Sequence, residues 1–258
     1  MPKVSLAALA ATAAFALGVA GCNAQPQGSA KAETAADKAF GAKVHAYLLA
    51  HPEVIEEAVQ KLQADQEALK SASASVQIQQ NRQALEHDAR DGVAGNPKGG
   101  VTLVEFYDYR CPYCKAAQPE LQRLLAKHTN VRLVLKEFPI LDVEDNTHIS
   151  EDASRAAIAA MTQGKYFKVH DDLLAEKHLD EDAIARILKA DGVDITKDQA
   201  RAKSDAVSQQ IADTHKIARA IGVDGTPGFV IGDQMIAGAR MDDIEAAITA
   251  QSGKAHAN

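Results

Sequence analysis

Two cysteines separated by two residues are the positions at which this chain could carry out chemistry. Cys111 and Cys114 flank Pro112 and Tyr113, and these four residues follow closely after the apolar run 101–107. Two thiols at this spacing in the first turn of a helix lie on one face, so they can close into a disulfide. The segment therefore predicts a dithiol that is oxidised and reduced reversibly by two electrons.

A helical pattern that begins near Lys115 places the two thiols at a helix N-terminus. Pro112 suits the first helical turn, where an N–H group would have no partner within the helix. The helix dipole and the unpaired N–H groups of this turn favour a thiolate over a thiol. We expect Cys111, which precedes the helix, to be the nucleophile, and Cys114 to be the resolving or leaving thiol.

A metal site and an inert structural disulfide are the alternatives for the same two thiols. Zinc sites usually need four ligands, often from two cysteine pairs. This chain has one such pair, and no histidine lies within four residues of it. Redox chemistry is the favoured interpretation, and no metal or organic cofactor is predicted because the dithiol itself carries the electrons.

The third cysteine, Cys22, follows a segment that looks like an export signal. In residues 1–21, Lys3 is the only charged residue, and the apolar run ends in Val-Ala-Gly before Cys22. The run is short and rich in alanine for a membrane span. Its end resembles a bacterial lipobox, in which the cysteine is lipidated; ordinary signal cleavage after Ala24 is the alternative. We expect a lipid-anchored protein on the periplasmic side of the bacterial envelope, where disulfides persist.

Composition restricts the number of domains and the class of partner. A chain of 258 residues, of which 46% are hydrophobic, can build one sizeable domain and an appendage. The formal net charge of −7 argues against nucleic acid as a partner. Aromatic residues make up 4% of the chain and tryptophan is absent, which argues against functions based on aromatic stacking.

Composition also divides the chain before the dithiol into a tether and a helical extension. Residues 22–37 are small and polar and predict a flexible tether. Residues 38–91 predict helices with a break near His51 and Pro52. A seven-residue repeat, which is typical of coiled coils, runs through Leu48, Ile55, Leu62, Leu69 and Val76. The repeat predicts self-association into a homo-oligomer; an amphipathic helix that packs on its own domain is the alternative.

Strand and helix patterns alternate over residues 92–251, and residues 252–258 form a tail. A segment rich in turn residues, 91–100, predicts a loop before them. The predicted strands are 101–107, 131–137, 227–232 and 234–237, and the predicted helices are 112–128, several over 148–220, and 240–251. This order predicts an α/β fold with a mixed sheet that is covered by helices.

Three ordered motifs resemble the DsbA family of thioredoxin-fold thiol oxidoreductases. The segment 104–115, with Cys-Pro-Tyr-Cys, resembles the family's active-site strand and helix start, and 135–140 resembles its next strand. The segment 222–230 resembles its cis-proline loop and fourth strand. The resemblance implies a thioredoxin fold with a helical domain inserted at about 146–219. Less specifically, 38–90 resembles the N-terminal helical extension of exported ScsC-like and BdbD-like members.

The resemblance also implies roles for residues around the dithiol. Thr226 and Pro227 should face the cysteines through a cis peptide bond, which is realistic only before proline, and should present backbone to a bound substrate strand. Pro112 and Tyr113 should tune the redox potential. Oxidising members of the family usually carry histidine at the position of Tyr113. A neutral phenol gives the thiolate no cationic partner, so we expect a weaker oxidant.

Two charged residues in predicted strands complete the implied site. The resemblance places Glu105 and Lys136 beneath the cysteines as a buried ion pair that exchanges protons with Cys114, because a buried charge is costly unless it is paired. Solvent exposure at a strand edge is the alternative. The histidines of this region are interpreted as surface residues rather than ligands: His128, His148, His170, His178 and His215.

The combined interpretation is an exported protein thiol–disulfide oxidoreductase that forms or rearranges disulfides in envelope proteins. The expected partners are unfolded or partly folded exported proteins, a redox partner that resets the dithiol, and the membrane through the lipid anchor. A copper- or zinc-handling lipoprotein and a non-catalytic envelope scaffold are the alternatives.

Overall fold

The computed structural model of this chain describes residues 34–255. The predicted signal peptide, Cys22, most of the predicted tether and residues 256–258 lie outside the described residues. The chain divides into two compact units, one that ends at Ala58 and one that begins at Val59.

Helices dominate the described residues, which also contain five short strands. The helices are α1 (Ala35–Ala50), α2 (Glu53–Gln80), α3 (Arg82–Glu86), α4 (Pro112–Lys127), α5 (Asp142–Asp145), α6 (Ile149–Met161), α7 (Tyr166–Ala175), α8 (Glu181–Ala190), α9 (Ile195–Ala202), α10 (Asp205–Ile221) and α11 (Met241–Ala255). The strands are β1 (Gly92–Gly95), β2 (Val101–Tyr107), β3 (Val131–Glu137), β4 (Gly228–Ile231) and β5 (Gln234–Ala237). Among these helices, none has the length and hydrophobicity that a membrane crossing requires.

The first unit contains α1 and the start of α2. Thr34 and Asp37 form a capping box: the Thr34 hydroxyl accepts the Asp37 N–H at 3.2 Å, and the Asp37 carboxylate accepts the Thr34 N–H at 2.9 Å. Because this cap satisfies N–H groups of the first turn, the helix begins at Ala35, inside the predicted tether. His51 and Pro52 separate α1 from α2, as predicted, since proline disfavours a helical conformation in the residue before it.

In the second unit the strands form one mixed sheet in the order β1-β3-β2-β4-β5. β2 and β3 are parallel neighbours joined by the crossover helix α4, and the other neighbouring strands are antiparallel. Helices α5 to α10 stand between β3 and β4, where the helical insertion is predicted. The sheet confirms the predicted thioredoxin fold. The edge strand β1, in contrast, lies in the predicted loop, because four residues with two glycines carry no alternating pattern.

Alternate residues of β2 point to opposite faces of the sheet and build two hydrophobic clusters. On one face, Leu103 and Tyr107 pack in a cluster with residues of α4, α7 and α11. On the other face, Val104 and Phe106 pack in a cluster with residues of α3 and α10. The dithiol helix α4 therefore covers the first face, and the second face is covered independently of it.

The end of the helical extension belongs to the second of these clusters. Ile78 at the end of α2 and Leu85 in α3 are both 0% exposed. Arg132 of β3 donates a hydrogen bond to the carbonyl oxygen of Glu86 at 2.6 Å. The predicted boundary between residues 91 and 92 therefore falls inside a packed unit, because a chain cut there would lose two core side chains.

Most of the seven-residue repeat, in contrast, is exposed to solvent. The exposed fractions of Ile55, Leu62, Leu69 and Val76 lie between 50% for Val76 and 73% for Leu69, while Leu48 is half-buried. The described chain thus leaves a series of large apolar side chains without cover along α2.

The packing of α3 predicts that truncating Leu85 destabilises the sheet domain. Leu85→Ala should lower the free energy of unfolding by about 2–5 kcal/mol, because it leaves a cavity in a closed core. Val143→Ala is the control: Val143 is 89% exposed, so the change should stay within roughly 0.5 kcal/mol. Urea denaturation of the whole chain measures both. Equal effects of the two substitutions would contradict the assignment of α3 to the core.

Candidate active site

The two cysteines lie at the start of α4, as predicted. Cys111 is the N-cap residue with extended backbone, Pro112 is the first helical residue, and the N–H of Lys115 donates to the Cys111 carbonyl at 3.1 Å. Neither cysteine is in a disulfide, and Cys111 and Cys114 are 3% and 1% exposed. Both thiols are therefore free, and little of either sulfur is open to solvent.

The predicted cis-proline loop faces this pair. The peptide bond between Thr226 and Pro227 is cis, which confirms that prediction. The carbonyl oxygen of Thr226 lies 3.2 Å from Cys111 Sγ. Strand β4 begins at the next residue, Gly228, so the sheet itself holds the loop against the helix N-terminus.

The two sulfurs differ strongly in acidity. The pKa of Cys111 is lowered to about 6, chiefly by a hydrogen bond from Cys114 and further by the Thr226 side chain and the N–H groups of Cys114 and Tyr113, against a smaller opposing effect of burial. The pKa of Cys114 is raised, first by burial and then by the hydrogen bond that its thiol makes with Cys111. At neutral pH the pair therefore holds a thiolate at Cys111 and a thiol at Cys114.

Glu105 is buried on the same face of the sheet as the dithiol helix. Burial first, and then the negative charge of Cys111, raise the pKa of Glu105 to about 8. Its charge in turn contributes to the raised pKa of Cys114. Glu105 is therefore a protonated carboxylic acid at neutral pH and is electrostatically coupled to both sulfurs.

The predicted ion pair between Glu105 and Lys136 is wrong. In the parallel register Glu105 lies opposite Leu135, so Lys136 points to the other face of the sheet. There its ammonium group pairs with the buried carboxylate of Asp91 and donates to the carbonyl oxygen of Ala84 in α3. Burial raises the pKa of Asp91 to about 6, and the Lys136 charge opposes that shift. Lys136 thus holds α3 to the sheet instead of serving the dithiol.

Asp108, which the sequence analysis missed, anchors the loop that leads to Cys111. Its fully buried carboxylate accepts hydrogen bonds from the N–H groups of Arg110, Ile140 and Leu141 at 2.7, 2.9 and 3.1 Å. It also accepts the Ser150 hydroxyl at 2.8 Å. The loop before the dithiol is thereby joined to the segment that follows β3 and to the first turn of α6.

A second missed group is a buried cluster around Glu137. Its Oε1 accepts the hydroxyls of Tyr107, Tyr109 and Tyr166 at 2.5, 2.9 and 3.1 Å. Burial raises the pKa of Glu137 to about 7, although the three hydroxyls oppose the shift. The cluster connects β2, β3 and the loop before Cys111 to α7 of the helical insertion.

His170 belongs to the same cluster, so its interpretation as a surface residue is wrong. It is 2% exposed, and its Nδ1 lies 3.1 Å from the Tyr109 hydroxyl. Burial lowers the pKa of His170 to about 3, which keeps the ring neutral. Because the Tyr109 proton is donated to Glu137, we assign the Nδ1 proton to His170, with Nδ1–H donating to the Tyr109 oxygen.

Comparison with family models identifies the domain that carries this site. A model described as a DSBA-like thioredoxin domain matches residues 102–249. The chain belongs to the DSBA-like thioredoxin domain family. A second model, described as the copper resistance protein ScsC N-terminal domain, matches residues 38–68 of the helical extension.

Solved structures of DSBA-like proteins agree with this assignment. A thioredoxin-like oxidoreductase from Silicibacter pomeroyi is 37% identical, with a TM-score of 0.63 over 67% of this chain and 98% of that one. A linker-deletion mutant of Proteus mirabilis ScsC is 26% identical, with a TM-score of 0.63 over 88% of this chain and 100% of that one. The ScsC likeness thus includes part of the helical extension.

Two curated relatives each match a little more than half of this chain. The Na(+)/H(+) antiporter NhaA 3 of Salinispora tropica is 37% identical over 145 residues, which are 55% of this chain and 22% of that protein. The thiol:disulfide interchange protein DsbA of Bordetella pertussis is 26% identical over 52% of this chain and 64% of that protein. The chain spans only about a fifth of the length of the antiporter that it matches.

The lowered pKa of Cys111 predicts how the reduced protein reacts with iodoacetamide. Alkylation of Cys111 should follow its thiolate fraction and rise with pH with a midpoint near 6, while Cys114 stays unmodified. In Cys114→Ala the midpoint should move up, because the largest stabilising hydrogen bond to the thiolate is removed. Peptide mass spectrometry after timed alkylation measures both. A wild-type midpoint at the ordinary cysteine value of about 8.5 would contradict the geometry.

Proposed function

We propose that this chain is an exported protein thiol–disulfide oxidoreductase that forms or rearranges disulfides in envelope proteins. The observation that carries the proposal is the asymmetric dithiol, a Cys111 thiolate beside a protonated Cys114, next to the cis peptide bond between Thr226 and Pro227. Membership of the DSBA-like family supports it, and so does the oxidoreductase from Silicibacter pomeroyi.

In the oxidising direction, a substrate thiolate attacks Cys111 Sγ of the Cys111–Cys114 disulfide. A mixed disulfide forms, and Cys114 leaves as a thiolate that takes up a proton, as its raised pKa favours. A second substrate thiolate then attacks the substrate sulfur and releases Cys111, which stays a thiolate at neutral pH. The substrate loses two electrons and gains a disulfide, and the dithiol keeps both electrons until a redox partner removes them.

Glu105 is proposed as the proton donor to the departing Cys114. It is buried on the dithiol side of the sheet, it carries a proton at neutral pH, and its charge is coupled to Cys114. In the reverse direction the same carboxylate would accept the Cys114 proton. Because Lys136 lies on the other face, the carboxyl group acts without a cationic partner.

The assignment of the two sulfurs predicts which variant accumulates mixed disulfides. Cys114→Ser should trap substrates on Cys111, because no resolving thiol remains, whereas Cys111→Ser should trap few. Non-reducing gels of envelope extracts, with purified disulfide-bonded polypeptides as defined substrates for attack by the Cys111 thiolate, measure the trapping. Equal trapping by both variants would contradict the roles, and an absence of trapping by either would support the non-catalytic scaffold instead.

The proposed role of Glu105 predicts a rate difference that depends on pH. Glu105→Gln keeps the shape of the side chain but cannot donate the proton, so oxidation of a dithiol peptide should slow about tenfold near pH 6. The difference should shrink towards pH 9, as Glu105 in the wild type loses its proton near its pKa of about 8. Acid-quenched single-turnover reactions measure the ratio of the two rates. A ratio that does not change with pH would contradict the role.

Two further proposals concern location and assembly. The lipobox-like residues before Cys22 support a lipid anchor on the periplasmic side of the envelope, and fatty-acid labelling that survives Cys22→Ser would refute it.

The exposed apolar repeat along α2, together with the ScsC N-terminal match at 38–68, supports self-association of the extension. Sedimentation of the whole chain as a monomer at tens of micromolar would refute that proposal.

A further inference from the structure

A cleft of about 590 Å³ opens beside the dithiol. One wall is a stripe of α4 that contains Tyr113, Ala116, Ala117 and Glu120, spaced so that all four share one face of the helix. The other wall is the segment 239–243, which enters α11. Because two alanines form part of the wall of α4, the cleft has room for the aliphatic stem of a long side chain.

The cleft continues from the surface at which substrate would bind. Tyr113 lies between the two cysteines and is 69% exposed. The opposite wall is joined to the cis-proline loop, because the N–H of Gly238 donates to the carbonyl oxygen of Pro227 at 2.9 Å. A polypeptide whose cysteine meets Cys111 beside Thr226 would therefore have neighbouring residues at the mouth of the cleft.

Acidic side chains outnumber basic ones in the lining of this cleft. Glu120, Asp242 and Asp243 are exposed, and Arg240 is the basic residue of the lining. Arg240 lies 3.2 Å from Asp243, and Arg123 of α4 lies 2.5 Å from Glu120. Among the described residues, Asp242 makes no ion pair, so its carboxylate is available to a partner.

Two basic residues beside the cysteines do not offset this charge at the cleft. The Lys115 ammonium group donates to the carbonyl oxygen of Glu176. The Arg110 guanidinium donates to Asp142 at 3.1 Å and to Thr147 at 2.9 Å. In addition, an exposed carboxylate, Asp224, lies two residues before Thr226 in the cis-proline loop.

We propose that this cleft selects polypeptide segments that carry a lysine or arginine close to the cysteine that reacts with Cys111. The inference rests on the proposed function and names its substrate class. The stem of the basic side chain would lie along Ala116 and Ala117. Its charged end would reach the carboxylate of Asp242 and would compete with Arg123 for that of Glu120. Acidic segments would be disfavoured by the same carboxylates.

The experiment compares two-cysteine peptides that are identical except for arginine, glutamine or glutamate two residues after the first cysteine. Each peptide loses two electrons and two protons as its thiols become a disulfide, and the Cys111–Cys114 disulfide of the oxidised whole chain accepts the electrons. Acid-quenched mass spectrometry gives the single-turnover rates. At low ionic strength the wild type should oxidise the arginine peptide about tenfold faster than the glutamate peptide. The ratio of the arginine-peptide rate to the glutamate-peptide rate should fall towards one at about 0.5 M NaCl, because salt screens the charges.

Matched variants separate the cleft from general surface charge. In Asp242→Asn combined with Glu120→Gln the ratio should fall to roughly two, and Asp242→Lys should favour the glutamate peptide. The control is Glu181→Gln with Asp182→Asn, which also removes two exposed acids, here from the first turn of α8, and should keep the wild-type ratio.

The outcomes distinguish this inference from the proposed function. Oxidation of the arginine and glutamate peptides by the wild type at rates within twofold would overturn the inference and leave the proposed function standing. A ratio that the cleft variants do not change, or that the α8 control also abolishes, would overturn it as well. A wild type that oxidises none of the three peptides would overturn the proposed function itself.

Discussion

One hydrogen bond between two sulfur atoms sets the chemistry of this site. The hydrogen bond from the Cys114 thiol is the largest cause of the lowered pKa of Cys111, and after burial it is the next cause of the raised pKa of Cys114. The bond requires that both sulfurs stay on one face of the first turn of α4. It also requires that water be largely excluded, which the buried positions of Cys111 and Cys114 provide. The cis-proline loop, the Asp108 anchor and the helical insertion all contribute to that enclosure.

The face of the sheet on which a buried charged residue lies decides whether it can act on the dithiol. Glu105 and Lys136 belong to neighbouring parallel strands and are both nearly inaccessible, yet they lie on opposite faces. The acid is left without a cation and retains its proton at neutral pH. The ammonium group instead pairs with Asp91 beneath α3. A shift of one residue in the register of a strand would move its side chains to the opposite face of the sheet. The uncompensated Glu105 and the Lys136–Asp91 pair would both be lost, so the active site depends on the register between β2 and β3.

Local patterns were sufficient to predict the strands that carry the dithiol. The bounds of β2 and β3 agree with the predicted 101–107 and 131–137, because short, largely apolar runs rich in valine and bounded by turn residues are typical of strands. The prediction of a Glu105–Lys136 ion pair was wrong because motif resemblance does not say to which face of the sheet a side chain points. The alternation of side chains along each strand could have revealed that the two residues lie on opposite faces. The partners of Glu137 and Asp108 could not be predicted in this way. Tyr166 reaches Glu137, and Ser150 reaches Asp108, from helices of the insertion, while His170 joins the Glu137 cluster through Tyr109.

The Glu137 cluster also gives this protein an intrinsic optical reporter. The chain has five tyrosines and no tryptophan, so its ultraviolet emission is that of tyrosine alone. Tyr107, Tyr109 and Tyr166 share one carboxylate oxygen, and a hydroxyl that hydrogen-bonds to a carboxylate emits weakly. Any movement that parts α7 from the sheet would break the bond from Tyr166 to Glu137 and brighten the emission of Tyr166. The fluorescence of the unlabelled chain would then follow the opening of the insertion during turnover.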